Sequence, residues 1–155
     1  MSWRFAYPVA VLSCANRADE RSEFEVRCEA VLDGSHHFHV RPSHQEFPEN
    51  VEFFAALVPH GLHALRTEGV VNNLPPEFHG FGIMRQLLPL IAQQRLKRIY
   101  SSRHDPARGE TRTDSATAVW NRLLGEGKAS YDPEEDRYQI EVPSLEINNG
   151  GATGA

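Results

Sequence analysis

The chain has 155 residues, of which 40% are hydrophobic and 24% are charged, and its formal net charge is −5. This length suits one domain with its own core, and no apolar run approaches the length of a membrane span. Residues 1–8 are too polar for a secretory signal, and two cysteines are too few for a disulfide framework. We therefore expect a cytoplasmic protein with a single domain over residues 1–147 and a disordered polar tail over 148–155.

The N-terminal half contains the pattern of a β-hairpin. Residues 9–12 form a short candidate strand, and the alternation of apolar and polar residues over 23–30 predicts a half-buried strand. Asp33, Gly34 and Ser35 signal a turn, so residues 36–41 are predicted to return as the second arm.

The middle of the chain alternates between helical and extended patterns. Residues 49–58 predict a short helix with one apolar face, and residues 63–66 predict a further helical turn. A strand is expected over residues 70–74. The strongest helix is predicted over residues 82–94, with Pro89 as a kink and a buried face made of Ile83, Leu87, Leu90 and Ile91.

The C-terminal part predicts a strand, a helix and a closing hairpin. The strand covers residues 98–102, and Thr113 or Asp114 can cap a helix that runs to about residue 124. Two glycines then end that helix. Residues 128–131 and 137–142 form the two arms of the hairpin.

The segment from residue 75 to residue 84 is the most informative part of the sequence. It reads Pro-Pro-Glu-Phe-His-Gly-Phe-Gly-Ile-Met and separates the predicted strand from the strongest helix. Glycines let a backbone approach a ligand closely, and the first N–H groups of a helix lack internal partners. A strand, a glycine-rich turn and a helix in this order favour the binding of a phosphate or pyrophosphate.

Charge supports an anionic ligand near this segment. Residues 80–128 contain nine basic and four acidic residues, a net charge of +5, so the rest of the chain carries −10. The basic stretch supplies countercharge for an anion, whereas the acidic remainder favours a cationic acceptor such as an amine.

Residues 76–83 resemble the acyl-coenzyme A signature of the GNAT acyltransferases, which typically reads P-E-Y-R-G-x-G-I. The resemblance implies an α/β (α+β) fold with a mixed, mostly antiparallel sheet, flanking helices and a splayed central strand pair. It also implies binding of acetyl-coenzyme A or another acyl-coenzyme A. In that family the loop amides hold the coenzyme's pyrophosphate, and here these would be the amides of His79, Gly80, Phe81, Gly82, Ile83 and Met84.

A second stretch, residues 113–123, is similar to the family's following helix, which commonly reads N-x-x-A-x-x-x-Y-x-x-L-G-F. Ala116 and Leu123 match in spacing, and Thr113 stands where a coenzyme-contacting Asn is common. Trp120 stands where a general-acid Tyr is common, and an indole cannot protonate a leaving thiolate at neutral pH. The resemblance covers about half of the chain, and the family's usual pair of helices after the first strand is missing.

The resemblance implies transfer of an acyl group to an amine acceptor, which is either a small molecule or a macromolecule. The amine must lose a proton during attack on the thioester. Glu68 is our first candidate for the base because it precedes the splayed strand end, His104 is the second, and Tyr131 is a candidate acid. The family also implies that a backbone N–H near Val71 or Asn72 stabilises the oxyanion.

Three alternatives compete with this interpretation. A catalytically silent coenzyme A-binding protein would account for the missing Tyr. A winged-helix module, with residues 115–124 as recognition helix and 128–140 as wing, would bind nucleic acid, although four acidic residues in the wing would face phosphate. The third alternative is a metal site at His37 and His39, which share a strand face and could take a third ligand from His44, Glu46 or His79. No further spaced motif completes that set, so we expect no metal.

Overall fold

A computed structural model describes residues 3–142, apart from the side chain of residue 4. It contains two α-helices and eight β-strands in a mixed α/β arrangement. The helices are α1 (Ile83–Arg95) and α2 (Asp114–Gly125). The strands are β1 (Tyr7–Ala15), β2 (Arg21–Ala30), β3 (His36–Pro42), β4 (Phe53–Pro59), β5 (Ala64–Asn72), β6 (Arg98–Tyr100), β7 (Ser130–Asp132) and β8 (Arg137–Ile140).

All eight strands belong to one sheet, in the order β1-β2-β3-β4-β5-β6-β8-β7. The first five strands form an antiparallel meander, and β8 pairs antiparallel with both β6 and β7. Only β5 and β6 run parallel, and α1 makes the crossover connection that parallel neighbours need. The sheet is therefore mostly antiparallel with one parallel pair near its middle.

The core lies between one face of this sheet and the two helices. Phe24, Val26, Phe38 and Val40 are fully or almost fully buried, because alternate residues of β2 and β3 point to the same face. Leu87, Leu88 and Ile91 of α1 close this layer, and they belong to the same apolar cluster as Trp120 and Leu123 of α2. The opposite sheet face carries mainly polar and ionisable side chains, including Arg27, His37 and His39.

Several sequence predictions are confirmed. The β2–β3 hairpin, both helices and the β7–β8 hairpin all form, and Thr113 caps α2 by accepting a hydrogen bond from the Ala116 N–H (3.1 Å). Pro89 lies inside α1, and Leu90 is only half-buried rather than part of the core. No helix within residues 3–142 is long and apolar enough to cross a membrane. The predicted tail, residues 148–155, lies outside the described residues.

The prediction of a helix over residues 49–58 is wrong, because Phe53–Pro59 is the strand β4. Phe53, Ala55 and Leu57 are buried while the residues between them are only half-buried, which is the period of a strand. Apolar runs this short fit either period, and hydrogen bonding to β3 and β5 decides the outcome. The predicted helical turn at 63–66 is likewise the start of β5, which is longer than the strand expected over 70–74.

Candidate functional site

A cleft opens where the parallel strands β5 and β6 separate. Their pairing covers only three residue pairs and ends at Arg66 opposite Tyr100. β6 stops there, whereas β5 continues to Asn72. The next link between the two segments is made by a side chain, since the Ser102 hydroxyl donates to the Thr67 carbonyl (2.6 Å). Beyond this point, the edge of β5 that faces β6 has no partner strand within residues 3–142.

The cleft has a volume of about 350 Å³ and lies between β5, α1 and α2. Its polar wall consists of Thr67, Asn72, Thr113 and Ser115. Its apolar wall consists of Phe53, Val70, Met84, Leu88, Ala116, Val119 and Trp120. A largely apolar channel with a few polar groups is typical of a site for an extended organic ligand.

A β-bulge at Glu68 sets which side chains of β5 face this cleft. Thr67 lies opposite Leu57 and Gly69 lies opposite Ala56, so Glu68 is the extra residue. Directly opposed residues share a sheet face, and Leu57 belongs to the buried face beneath the helices. Thr67 therefore faces the cleft, whereas the bulge turns the exposed Glu68 to the other face of the sheet.

The loop before α1 presents a row of free backbone donors. Gly80 and Gly82 have φ values of +77° and +67°, a region that residues with a Cβ seldom adopt. No side chain caps α1 at Gly82. Within residues 3–142, the N–H groups from Gly80 to Met84 have no hydrogen-bond acceptor. Five successive free amides at the positive end of a helix suit an anion.

The expected role of the His79 amide is wrong, because its N–H donates within the loop to the Pro76 carbonyl (3.1 Å). The His79 ring instead closes the base of the loop, with Nε2 2.7 Å from the Leu74 carbonyl oxygen. The buried Phe81 ring meets the edge of Phe24 at a centroid distance of 5.5 Å. Met84 belongs both to the row of free amides and to the cleft wall, so the loop and the cleft adjoin.

A guanidinium group lies beside the loop. Atoms of the Arg85 guanidinium lie 3.8 Å from the position that a Cβ would take at Gly82. Its only ion pair among the described residues is a long one, with Arg85 Nε 3.7 Å from Glu126 Oε1. This positive charge adds to the helix dipole near the free amides.

The other two candidate catalytic residues, His104 and Tyr131, meet at Asp136. The His104 N–H donates to Asp136 Oδ2 (3.1 Å), and the Tyr131 hydroxyl donates to Oδ1 (2.8 Å). Burial acts to raise the pKa of Asp136, but these bonds and one from Arg112 outweigh it and lower the pKa to about 2. Hydrogen bonding to Asp136 raises the pKa of Tyr131, which makes that hydroxyl a weaker acid.

The remaining candidates occupy different parts of the site. Thr113 and Asn72 line the cleft, while Val71 lies on the other sheet face, opposite Phe54. Trp120 is buried in the cleft wall and stacks on Tyr138 at 5.9 Å. The spacing of Ala116, Val119 and Trp120 along α2 is the signal that places three residues on one helix face.

The alternatives from the sequence can be placed as well. His37 and His39 share a sheet face, as predicted, but His79 belongs to the loop before α1. Among residues 3–142, no group of three or more His, Cys, Asp or Glu side chains is arranged to hold a metal ion. The β7–β8 hairpin extends the sheet through the pairing of β8 with β6.

Sequence reasoning missed a polar network at the end of β6. Glu110 accepts two hydrogen bonds from Arg137 and lies 3.3 Å from Arg103 Nε and 3.4 Å from Arg66 Nη1. Burial acts to raise the pKa of Glu110, but the Arg137 hydrogen bonds and the neighbouring positive charges lower it to about 2. The network fixes the segment between β6 and α2, and no spacing rule in the sequence reveals it.

Comparisons of the chain with models of protein families, with curated proteins and with solved structures give no match.

Proposed function

We propose that this protein is a GNAT-like N-acyltransferase that moves an acetyl or other acyl group from acyl-coenzyme A to an amine. One observation carries the proposal: a row of free loop amides adjoins a mainly apolar cleft between two separating parallel strands. The amides fit a pyrophosphate, and the cleft fits the uncharged arm and acyl group attached to it. The motif resemblance over residues 76–83 and 113–123 selects coenzyme A among ligands of this shape.

The roles of the chain's own groups follow from their positions. The amides from Gly80 to Met84 bind the pyrophosphate, and Arg85 adds countercharge. The cleft between β5 and α2 excludes water from the thioester. The free edge of β5 near Val71 and Asn72 offers backbone N–H groups to the developing oxyanion.

The acceptor amine approaches from the sheet face that carries Glu68. Acyl transfer forms a carbon–nitrogen bond and breaks the carbon–sulfur bond, while a proton leaves the amine. The bulge turns the Glu68 carboxylate to the face opposite Thr67, so this carboxylate is the proposed base on the acceptor side. The thiolate leaves without a tyrosine acid from α2, because Trp120 occupies that position.

A specific observation favours one second candidate, a protein that binds coenzyme A without turnover. Trp120 cannot act as an acid, and the Tyr131 hydroxyl donates to Asp136 instead. The two candidates make the same prediction for binding and opposite predictions for product formation.

Calorimetric titration with coenzyme A and acetyl-coenzyme A tests both candidates. We expect a dissociation constant in the micromolar range. A panel of primary amines with acetyl-coenzyme A, followed by mass spectrometry, then separates an enzyme from a silent binder. No binding at high micromolar concentration would refute every coenzyme-based function.

A further inference from the structure

A buried histidine lies between two buried carboxylates on the sheet face away from the helices. His39 Nδ1 is 2.5 Å from Glu52 Oε2, and His39 Nε2 is 3.1 Å from Glu29 Oε1. The exposed fractions of His39, Glu52 and Glu29 are 4%, 7% and 9%. Buried charges of this kind need a role, because removing them from water is costly.

This cluster is attached to both sides of the cleft mouth. Glu52 directly precedes Phe53, which lines the cleft, and the Glu52 carbonyl accepts a hydrogen bond from the Asn73 N–H (2.9 Å). Asn73 follows Asn72, another cleft residue, whose side-chain oxygen accepts from the Leu74 N–H (3.1 Å). The Leu74 carbonyl in turn contacts the His79 ring at the base of the glycine loop.

Both contacts of His39 are hydrogen bonds only when both ring nitrogens carry protons, since a neutral imidazole has a single N–H. Burial acts to lower the pKa of His39, but hydrogen bonds and charge from Glu52 and Glu29 outweigh it and raise the pKa above the ordinary 6.5. The clamp is therefore complete at low and neutral pH. It is lost as the pH rises through the raised value.

The surroundings of His39 come from every packed element. β2 contributes Glu29 and Arg27, and the latter is paired with Glu25 at 2.9 Å. β3 contributes His37, whose Nδ1 is 3.7 Å from Glu29 Oε1, and Arg41. The segment before β4 contributes Glu52, and Phe54 of β4 meets the His39 ring at 5.3 Å. The Trp3 ring lies 4.8 Å from each of the Arg27 and Arg41 guanidinium groups.

We propose that His39 is a positioning residue for coenzyme binding: its doubly protonated ring joins Glu29 to Glu52 and thereby holds the cleft mouth and the base of the glycine loop. Loss of that proton frees one carboxylate and loosens the attachment of Glu52 to Asn73. Coenzyme affinity then falls at alkaline pH. The inference rests on the proposed function for its ligand, but the loosening itself is a property of the free protein.

The experiment measures the acetyl-coenzyme A dissociation constant by calorimetry from pH 7 to pH 9.5. Acetyl-coenzyme A has no free thiol, and its phosphate is fully ionised above about pH 7. Wild-type affinity should fall about tenfold over this range. His39→Gln should bind about tenfold more weakly at pH 7 and show no further fall. His37→Gln, on the same strand and half-exposed, is the matched control and should keep the wild-type profile.

Hydrogen exchange in the free wild-type protein gives a second readout that needs no variant. Protection of the Asn73 amide, corrected for the intrinsic rate, should fall at alkaline pH. The Ser101 amide, which donates to the Tyr138 carbonyl (2.9 Å), should stay protected as the reference.

Flat wild-type affinity together with constant Asn73 protection would overturn the inference. A His39→Gln variant that loses stability but keeps both affinity and its pH dependence would also overturn it, because His39 would then be structural only. Absence of acetyl-coenzyme A binding at every pH would refute the proposed function. Asn73 protection would then decide the inference alone.

Discussion

Replacement of Gly80 by valine tests the glycine loop most directly. Gly80 has a φ of +77°, and a Cβ added there would meet no atom within 4 Å. The substitution therefore acts through the backbone conformation and not through a clash. An L-residue in this region costs about 1–2 kcal/mol, more for a β-branched one, and the loop can relieve that strain only by turning its amides.

The expected loss of affinity follows from those amides. Each hydrogen bond from a backbone N–H to a charged group contributes about 1.5–3 kcal/mol. Misalignment that removes one or two of them costs about 2–3 kcal/mol, which corresponds to roughly 30- to 150-fold weaker binding. Overall stability, typically about 5–15 kcal/mol, should tolerate the strain.

Gly61→Val is the matched control. Gly61 has a φ of +73°, and an added Cβ there also meets nothing within 4 Å. It precedes β5, whose eight residue steps of about 3.3 Å place Asn72 roughly 26 Å further along the strand. Both variants should lose similar stability in urea titrations, but only Gly80→Val should lose coenzyme A affinity in calorimetry. Wild-type affinity in Gly80→Val, or an equal loss in both variants, would show that the loop is merely a turn.

Three further predictions concern other parts of the site. Glu68→Gln should lower turnover about a hundredfold to ten-thousandfold while calorimetry shows unchanged acetyl-coenzyme A affinity; normal turnover would exclude Glu68 as the base. Ala116→Trp should fill part of the cleft and weaken coenzyme binding at least about tenfold, whereas Ala118→Trp on the exposed side of α2 should not. Glu110, with its pKa lowered to about 2 from 4.5, stabilises the fold above pH 4.5 and loses this contribution as the pH falls toward 2. Acid titrations followed by circular dichroism should therefore show a shallower loss of stability for Glu110→Gln, and an unchanged slope would contradict the assignment.

The sequence by itself determined the elements whose signals are local. The period of two over 23–30 and the turn at Asp33 to Ser35 sufficed for the β2–β3 hairpin, because both depend on neighbouring residues. The Thr113 cap and the apolar stripe of α1 were likewise readable from spacing. The positive φ values at Gly80 and Gly82 agree with the reason for expecting glycine before a helix.

Only the tertiary structure decided what depends on pairing between distant segments. Residues 53–59 became a strand because β3 and β5 lie on either side of them, although their short apolar run suits a helix equally well. The bulge that turns Glu68 away from Thr67 arises from its register with β4, which no local pattern specifies. The His39 cluster joins residues 29, 39 and 52, and the Glu110 network joins residues 66, 103, 110 and 137. Such contacts depend on which strands become neighbours, and this is decided by burial of the whole sheet face rather than by any one segment.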